Sequence, residues 1–314
     1  MTRILKPLPL VAAVLAFFVP SASQAASPNR EVIAEASTRA VTDGARYLAY
    51  QRADGVSVAH DSWRGKTVEI LGAENCEPAT VGAGQVGLDC AKSENARWTN
   101  GRPRIASVLT GKSRPVLGAL DGDVLWRIGS RWIAGVHPCH APSPHCSGQW
   151  FLINRRTHAR IRTDEAEYSL NRPRPSKVKP PRYWRAMPGK LRRGTLAYSG
   201  NMVVADDGKS LSLWKGRRSK LRLAPSAWRA QRFPVWDNYG SVKIAQGRVF
   251  WEDLENRVHI VRTDGSGAQV VAFEGSRYLD PRSLRDGVVV SVSDRREASG
   301  GEPTFELVLV RDLP

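Results

Sequence analysis

Residues 248–271 read RVFWEDLENRVHIVRTDGSGAQVV, and they contain three strand-like runs separated by two turns. The runs, at 249–252, 257–262 and 269–271, are rich in β-branched and aromatic residues, which favour strands. The second gap, Asp-Gly-Ser-Gly at 264–267, is a turn in which glycine supplies a positive φ at little steric cost. The stretch therefore predicts an antiparallel meander. Because a single meander cannot bury its faces, neighbours of the same kind are expected.

Similar strand-like runs recur along the whole chain of 314 residues, and long helical patterns are absent. The runs are short and are divided by turn residues, which is typical of an all-β fold. Ten tryptophans and a hydrophobic fraction of 41% can fill a core. The turn signal Asp-Gly stands beside such runs at positions 43, 54, 121, 207, 264 and 286.

The spacing of the meanders predicts their arrangement. The landmark strands, taken as the first of each meander, begin at residues 47, 86, 132, 202, 249 and 288, which gives intervals of 39, 46, 70, 47 and 39. Four intervals lie near the period of a four-stranded propeller blade. The long interval contains an additional basic, Pro-rich segment at 171–193. We therefore predict a β-propeller of six four-stranded blades, the last closed by an N-terminal strand at 32–34. A β-sandwich, or two of them, is the alternative.

One blade also resembles known propeller repeats. Residues 249–254 resemble the Tyr-Trp-Thr-Asp signature: Trp251 and Asp253 match it, while Phe250 stands for the Tyr and Glu252 for the Thr. Residues 262–267 are similar to the strand-ending turn of TolB-like repeats. The resemblance covers a single blade. It implies a six-bladed propeller used as a binding platform, because both families mostly recognise other proteins.

The first 25 residues have the features of a secretory signal peptide. Arg3 and Lys6 precede an apolar run at 8–19, and Ser23-Gln24-Ala25 is a small-x-small cleavage site. The apolar run is short for a bilayer span, although an uncleaved anchor is the alternative. The expected mature protein is one propeller domain at 26–314, with the insertion at 171–193. It is expected to be secreted or extracytoplasmic and to have no membrane span.

Four cysteines remain in the exported part: Cys76, Cys90, Cys139 and Cys146. An even number in an exported protein favours disulfide bonds, and three pairings are possible. We favour Cys76–Cys90 and Cys139–Cys146, because these pairs close the shortest loops. Each would connect the ends of a surface loop.

Residues 137–146 combine cysteines with three histidines, His137, His140 and His145. Imidazole nitrogens bind zinc and copper, so these histidines are weak candidates for a metal site. Oxidised cysteines lose the thiolate, and a rigid Pro-rich disulfide loop fits the spacing equally well. The glycines at 82–87 match a dinucleotide-binding string, but no helix follows them, so they are interpreted as a turn entering a strand. No metal and no cofactor are expected.

The positive charge is concentrated in one region. Residues 171–235 contain 17 Lys or Arg and 2 acids, a net +15, whereas the rest of the mature chain is balanced at 28 against 28. A Pro-rich row of cations is extended and suits an anionic polymer. A solvated linker is the alternative. The anion-binding candidates are Arg172, Arg174, Lys177, Lys179, Arg182, Arg185, Arg217, Arg218, Lys220 and Arg222.

No catalytic signature can be placed on the sequence. Ser-His-Asp, Cys-His and paired-carboxylate arrangements are not recognisable, and the acids at 252–255 are interpreted as a solvated turn. The expected role is therefore a non-catalytic recognition platform for a protein or an anionic envelope polymer. Export makes nucleic acid an unlikely partner, and the oligomeric state stays open. The alternative is a propeller hydrolase or lyase with its site at the mouth of the central channel.

Overall fold

The fold was analysed in a computed structural model. It describes residues 29–92, 100–138, 148–163, 195–199, 202–206, 210–215, 218–225, 242–253, 255, 257–273, 278–293, 304–311 and 313. The regular elements in these residues are 24 β-strands, and they contain no helix. The described part of the chain is therefore all-β, as predicted.

The strands are short and follow one another at close intervals. The first twelve are β1 (Arg30–Ala36), β2 (Val41–Thr42), β3 (Tyr47–Gln51), β4 (Ser57–Asp61), β5 (Lys66–Glu69), β6 (Cys76–Gly82), β7 (Gln85–Cys90), β8 (Arg104–Ser107), β9 (Ser113–Pro115), β10 (Val124–Ile128), β11 (Trp132–His137) and β12 (Gln149–Asn154). The others are β13 (Arg160–Arg162), β14 (Thr195–Ser199), β15 (Met202–Asp206), β16 (Ser210–Lys215), β17 (Arg218–Pro225), β18 (Val242–Ala245), β19 (Arg248–Glu252), β20 (Arg257–Arg262), β21 (Gln269–Ala272), β22 (Tyr278–Ser283), β23 (Gly287–Ser293) and β24 (Phe305–Arg311).

These strands form antiparallel sheets of four strands each, and the described residues contain six of them. The first five sheets are simple meanders: β2 to β5, β6 to β9, β10 to β13, β14 to β17 and β18 to β21. The sixth has the order β1-β24-β23-β22. Repeated four-stranded meanders are consistent with a β-propeller and differ from the two stacked sheets of a sandwich.

The sequence landmarks fall on the second strand of each sheet. The strand that precedes each landmark was missed, because it is short or lacks a distinctive pattern; β2, for example, has only two residues. The spacing of the landmarks nevertheless reflects the repeat, since it measures the same strand in successive sheets.

Alternate residues of one strand pack against different neighbours. In β19, Val249 and Trp251 join a cluster with the fourth sheet, whereas Phe250 joins a cluster with the sixth. In β3, Leu48 packs toward the sixth sheet and Ala49 toward the second. Side chains of a strand alternate between the two faces of its sheet, so both faces of these sheets are buried.

The apolar clusters also give the order of the sheets. One cluster joins the first and second sheets, and others join the second and third, the sixth and first, the fifth and sixth, and the fourth and fifth. The sheets therefore follow one another as third, second, first, sixth, fifth and fourth. Between the third and fourth sheets the chain runs through 164–194, which lies outside the described residues.

The N-terminal strand β1 forms the edge of the sixth sheet. It pairs antiparallel with β24 from Arg30↔Val310 to Ala36↔Phe305, with an irregularity between Val32 and Ala34. The prediction that residues 32–34 complete the last sheet is confirmed. Because this pairing joins the two ends of the described chain, the last sheet forms only after both ends are in place.

Two of the predicted turns have the expected backbone. Gly265, in the Asp-Gly turn of the opening stretch, has a φ of 94°. The two residues between β6 and β7, Ala83 and Gly84, both have positive φ, at 48° and 73°. This is the type I′ geometry of a tight hairpin. The glycines at 82–87 therefore belong to a hairpin, as interpreted from the sequence.

The disulfide Cys76–Cys90 is present. Its two cysteines lie opposite each other on the paired strands β6 and β7, and both are buried. The expectation that this bond connects the ends of a surface loop was therefore wrong, because it joins two adjacent strands of the second sheet. Cys139 and Cys146 lie outside the described residues, so their pairing stays a prediction.

The position of β1 can be tested with two substitutions in the same strand. Ala36 is fully buried against the first sheet, whereas Val32 is 60% exposed. A buried carboxylate at 36 costs about 3 kcal/mol or more, so Ala36→Asp is expected to lower Tm by roughly 6–12 °C. Val32→Asp should change Tm by less than about 2 °C. Thermal unfolding followed by circular dichroism measures both, and equal effects would contradict this packing.

Candidate functional site

Several ionisable side chains are buried where the fifth and sixth sheets pack together. Lys243 lies on β18 and Glu252 on β19 of the fifth sheet, while Asp280 and Arg282 lie on β22 of the sixth. Asp280 is 4% exposed and Glu252 is 5% exposed. Buried charges are rare in proteins and are kept only where partners compensate them, so this cluster is a candidate site.

Asp280 holds the cluster together. Lys243 donates from Nζ to Asp280 Oδ1 at 2.6 Å and to the carbonyl oxygen of Pro281 at 2.8 Å. Arg282 donates from Nε and Nη2 to Asp280 Oδ2 at 3.0 and 2.7 Å. Each oxygen of the Asp280 carboxylate thus accepts from a different cation. Charge-assisted bonds of this kind tie the first strand of one sheet to the first strand of the next.

Burial and pairing act against each other on these groups. Burial raises the pKa of Asp280, but the attraction of Lys243 and Arg282 outweighs burial, so the pKa is lowered and the carboxylate is ionised. For Lys243 burial dominates, and it lowers the pKa to about 8 in spite of Asp280. Lys243 is therefore a cation at neutral pH, and it loses its proton about one pH unit above neutrality.

Glu252 responds in the opposite direction. Burial, together with repulsion from Asp280 and Asp253, raises its pKa to about 7. The interpretation of the acids at 252–255 as a solvated turn was wrong for Glu252. Alternation along the strand indicates that Glu252 lies on the same side as the apolar Phe250, and the structure shows that the sixth sheet covers that side.

The neighbouring Asp253 organises a second group of side chains. Its Oδ2 accepts from Arg257 Nε at 2.7 Å and lies 2.7 Å from His259 Nε2. Burial opposes ionisation of Asp253, but these bonds outweigh it and lower the pKa. The ring of His259 stacks on Trp251, with the centroids 4.9 Å apart. Asp253 and Trp251, which carry the Tyr-Trp-Thr-Asp resemblance, thus hold the histidine in place.

Two groups in this cluster titrate close to neutral pH. Glu252 and Lys243 have pKa values of about 7 and about 8, so both exchange protons within the range in which enzymes use acids and bases. Such values also occur in structural ion networks. The arrangement can therefore hold an anionic group beside the cations or can move a proton.

His137 is the predicted metal candidate that the structure describes. It ends β11, and its Nδ1 lies 2.9 Å from Oδ1 of Asp123, which is fully buried. Arg160 pairs with the same carboxylate. His140 and His145 lie outside the described residues. Within the described ranges, no three His, Cys, Asp or Glu side chains are grouped so that they could hold a metal ion.

The predicted anion-binding residues lie almost entirely outside the described side chains. This applies to Arg172, Arg174, Lys177, Lys179, Arg182, Arg185 and Arg217, and only the backbone is described for Arg218 and Lys220. Arg222 is exposed on β17, the edge strand of the fourth sheet. The register of β17 shifts twice against β16. Irregular, cationic edge strands resist pairing with other sheets, so a structural role for this charge also fits.

The raised pKa of Glu252 predicts how the free energy of unfolding depends on pH. Because its pKa rises from 4.5 to about 7 on folding, the folded state binds the proton more tightly. The free energy of unfolding therefore falls as pH rises between these values, by about 2 kcal/mol after allowance for solvent screening. Glu252→Gln should remove this loss. It should be more stable than the wild type at about pH 8 and similar at about pH 4.

Urea unfolding at the two pH values measures this difference. Glu255→Gln is the matched control, because Glu255 is three residues away with a side chain that is 70% exposed. The control should leave the pH dependence unchanged. Identical pH profiles for Glu252→Gln and the wild type would contradict the burial of an ionisable Glu252.

Comparisons of this chain with known proteins find structural similarities with low scores and no match in sequence. No protein family matches the chain, and no curated protein matches it significantly. BamB of Moraxella catarrhalis aligns over 86% of this chain and 83% of its own, with 11% identity and a TM-score of 0.27. The computationally designed Ika8 protein aligns over 89% of this chain and 70% of its own, with 13% identity and a TM-score of 0.29. The acylaminoacyl peptidase of Pyrococcus horikoshii aligns over 87% of this chain and 43% of its own, with 9% identity and a TM-score of 0.34. These scores carry no argument, so the propeller class rests on the sheets themselves.

Proposed function

We propose that this protein is an exported, six-bladed β-propeller that acts as a non-catalytic binding platform. Six four-stranded sheets in the described residues, packed face to face in the series third, second, first, sixth, fifth and fourth, support the blade count. The edge strand β1 supports closure of the ring by the N-terminus. The Tyr-Trp-Thr-Asp and TolB-like features of 249–267 support a role in recognition, because those families mostly bind proteins.

The observation that carries the proposed role is the charge distribution. A net +15 in 171–235, against a balanced remainder, marks one region of the chain for an anionic partner. The partner is a protein with an acidic surface or an anionic polymer of the cell envelope. The signal peptide predicted at 1–25 and the Cys76–Cys90 bond support an oxidising compartment outside the cytoplasm.

No helix in the described residues has the length and the apolar character needed to cross a bilayer.

A second candidate function rests on the cluster at the fifth and sixth sheets. Glu252 and Lys243, with pKa values of about 7 and about 8, would suit a hydrolase or lyase that uses a proton donor and acceptor. Chromogenic esters, lactones and polyuronates provide a direct assay. Turnover that disappears in Glu252→Gln and persists in Glu255→Gln would favour the enzyme over the platform.

The binding role can be tested by separating the charge of 171–193 from its stiffness. In one variant, Arg172, Arg174, Lys177, Lys179, Arg182 and Arg185 are changed to Gln and the prolines are kept. In the other, the prolines of the same segment are changed to Ala and the cations are kept. The retention of the mature protein on an anionic matrix is measured against salt.

The charge variant is expected to elute at clearly lower salt, because each lost cation weakens binding to a polyanion. The proline variant should elute near the wild type. Elution of the charge variant at the wild-type position would show that the segment is a solvated linker.

A further inference from the structure

We propose that one end of the sheets, formed by the turns between their first and second strands and between their third and fourth strands, is a surface that binds membranes rich in anionic phospholipids. The proposal deepens the binding role above but uses other residues than 171–193. It starts from the topology of an antiparallel meander. The turn between the first and second strands and the turn between the third and fourth strands lie at one end of a sheet, and the remaining connections lie at the other.

Hydrogen bonds show that these turns come together from different sheets. Gln246 donates from Nε2 to the carbonyl oxygen of Gly44 at 2.7 Å, which joins the fifth and first sheets. The backbone N–H of Arg285 donates to the carbonyl oxygen of Ala45 at 2.7 Å, which joins the sixth and first. Arg155 donates to Gln85 Oε1 at 2.6 Å, which joins the third and second.

We call this end the turn face. It consists of the described turns 43–46, 62–65, 83–84, 108–112, 129–131, 155–159, 246–247, 263–268 and 284–286.

In the described residues the turn face is cationic, whereas the described connections at the opposite end are not. The nine turns contain seven Lys or Arg and three acids, a net +4. The described connections at the opposite end, at 37–40, 52–56, 70–75, 91–92, 100–103, 116–123, 253 and 255, contain four cations and six acids, a net −2.

The two ends also differ in how their cations are compensated. At the opposite end, Arg52 pairs with Asp54 and Glu69, and both Lys92 and Arg102 pair with Asp121. On the turn face, Arg46 pairs with Asp61. Within the described residues, the other six cations of the turn face have no carboxylate oxygen within 4.0 Å: Arg64, Lys112, Arg131, Arg155, Arg156 and Arg285.

These six cations come from turns of four different sheets, the first, second, third and sixth. A linear polymer engages a row of cations, but a lipid surface presents headgroups in two dimensions and engages cations spread in this way. A Lys or Arg near such a surface strengthens binding about fivefold at low salt. Their distribution therefore favours a membrane over a polymer.

Two exposed apolar side chains accompany the cations. Trp63, in the turn 62–65, is 47% exposed, and Leu109, in the turn 108–112, is 61% exposed. The guanidinium carbons of Arg46 and Arg285 lie 5.0 and 5.6 Å from the centre of the Trp63 ring. Tryptophan beside arginine is the combination that suits the boundary between headgroups and acyl chains.

The test is co-sedimentation of the full mature chain with vesicles made of equal parts of phosphatidylglycerol and phosphatidylcholine. The turn-face variant carries Arg64→Gln, Arg131→Gln and Arg156→Gln, which are exposed positions. Its control carries Arg52→Gln, Lys92→Gln and Arg102→Gln, which removes the same charge from the opposite end. The turn-face variant should bind roughly tenfold to a hundredfold more weakly, and the control should bind within about twofold of the wild type.

A second pair of variants tests the apolar contribution. Leu109→Ser should weaken binding, whereas Leu117→Ser should leave it unchanged, because Leu117 is 52% exposed in the connection at the opposite end. Circular dichroism confirms that each variant is folded. Equal losses in the turn-face and control variants would overturn the proposal.

Two outcomes separate this proposal from the binding role of 171–193. If the charge variant of 171–193 loses vesicle binding while the turn-face variant binds normally, membrane binding by the turn face is contradicted and anion binding by 171–193 is supported. Retention on soluble dextran sulfate that the turn-face variant loses, without vesicle binding by the wild type, would identify a polymer site and likewise overturn the membrane proposal.

Discussion

The structure depends on the packing of successive sheets face to face, which in the described residues buries both faces of the first, second, fifth and sixth sheets. An isolated four-stranded meander would leave both of its faces in water, and the sheets of this protein have apolar residues on both. Phe250 and Trp251 are adjacent in β19, and yet they are buried in different clusters on opposite sides of one sheet. Because the apolar faces of these sheets are covered by other sheets, we expect each sheet to depend on its neighbours for stability.

That constraint decides where charge can be placed. The interior between sheets is largely apolar, so a buried ionisable group there needs partners, which for Asp280 come from both the fifth and the sixth sheets. Asp280 satisfies both oxygens with cations and remains ionised, whereas Glu252 is buried beside other acids and has a raised pKa. The same packing that stabilises the sheets therefore makes two neighbouring carboxyl groups behave differently.

In the described residues the two ends of the sheets also differ in how their charges are compensated. The connections bring acids and bases from successive sheets together, and they form ion pairs such as Lys92–Asp121. The tight turns at the other end are short and contain few acids, so their arginines have mostly backbone carbonyls, amides and rings as neighbours. A binding surface can thus arise from turn composition alone, without any pocket between the sheets.

Particular elements show how far the sequence could be interpreted. The meander at 248–271 was predictable because alternation and turn residues act locally. The N-terminal strand was predictable because the last sheet lacked a fourth strand in the sequence pattern. The first strand of each sheet was not recognised, since Val41–Thr42 is too short to show a period. The pairing Cys76–Cys90 followed from loop length, but its position across two paired strands did not. The burial of Glu252 required knowing that the sixth sheet covers that face.

The sequence by itself indicated the later strands of each sheet, the tight turns, the favoured pairing of Cys76 with Cys90 and the imbalance of charge along the chain. These are properties of neighbouring residues, and alternation, positive φ and composition express them directly. Only the tertiary structure decided which charges are neutralised. Asp280 meets Lys243 across 37 positions of sequence, while Arg64 and Arg156 meet no carboxylate in the described residues. Such encounters depend on which sheets pack together and at which end, and no local pattern contains that information.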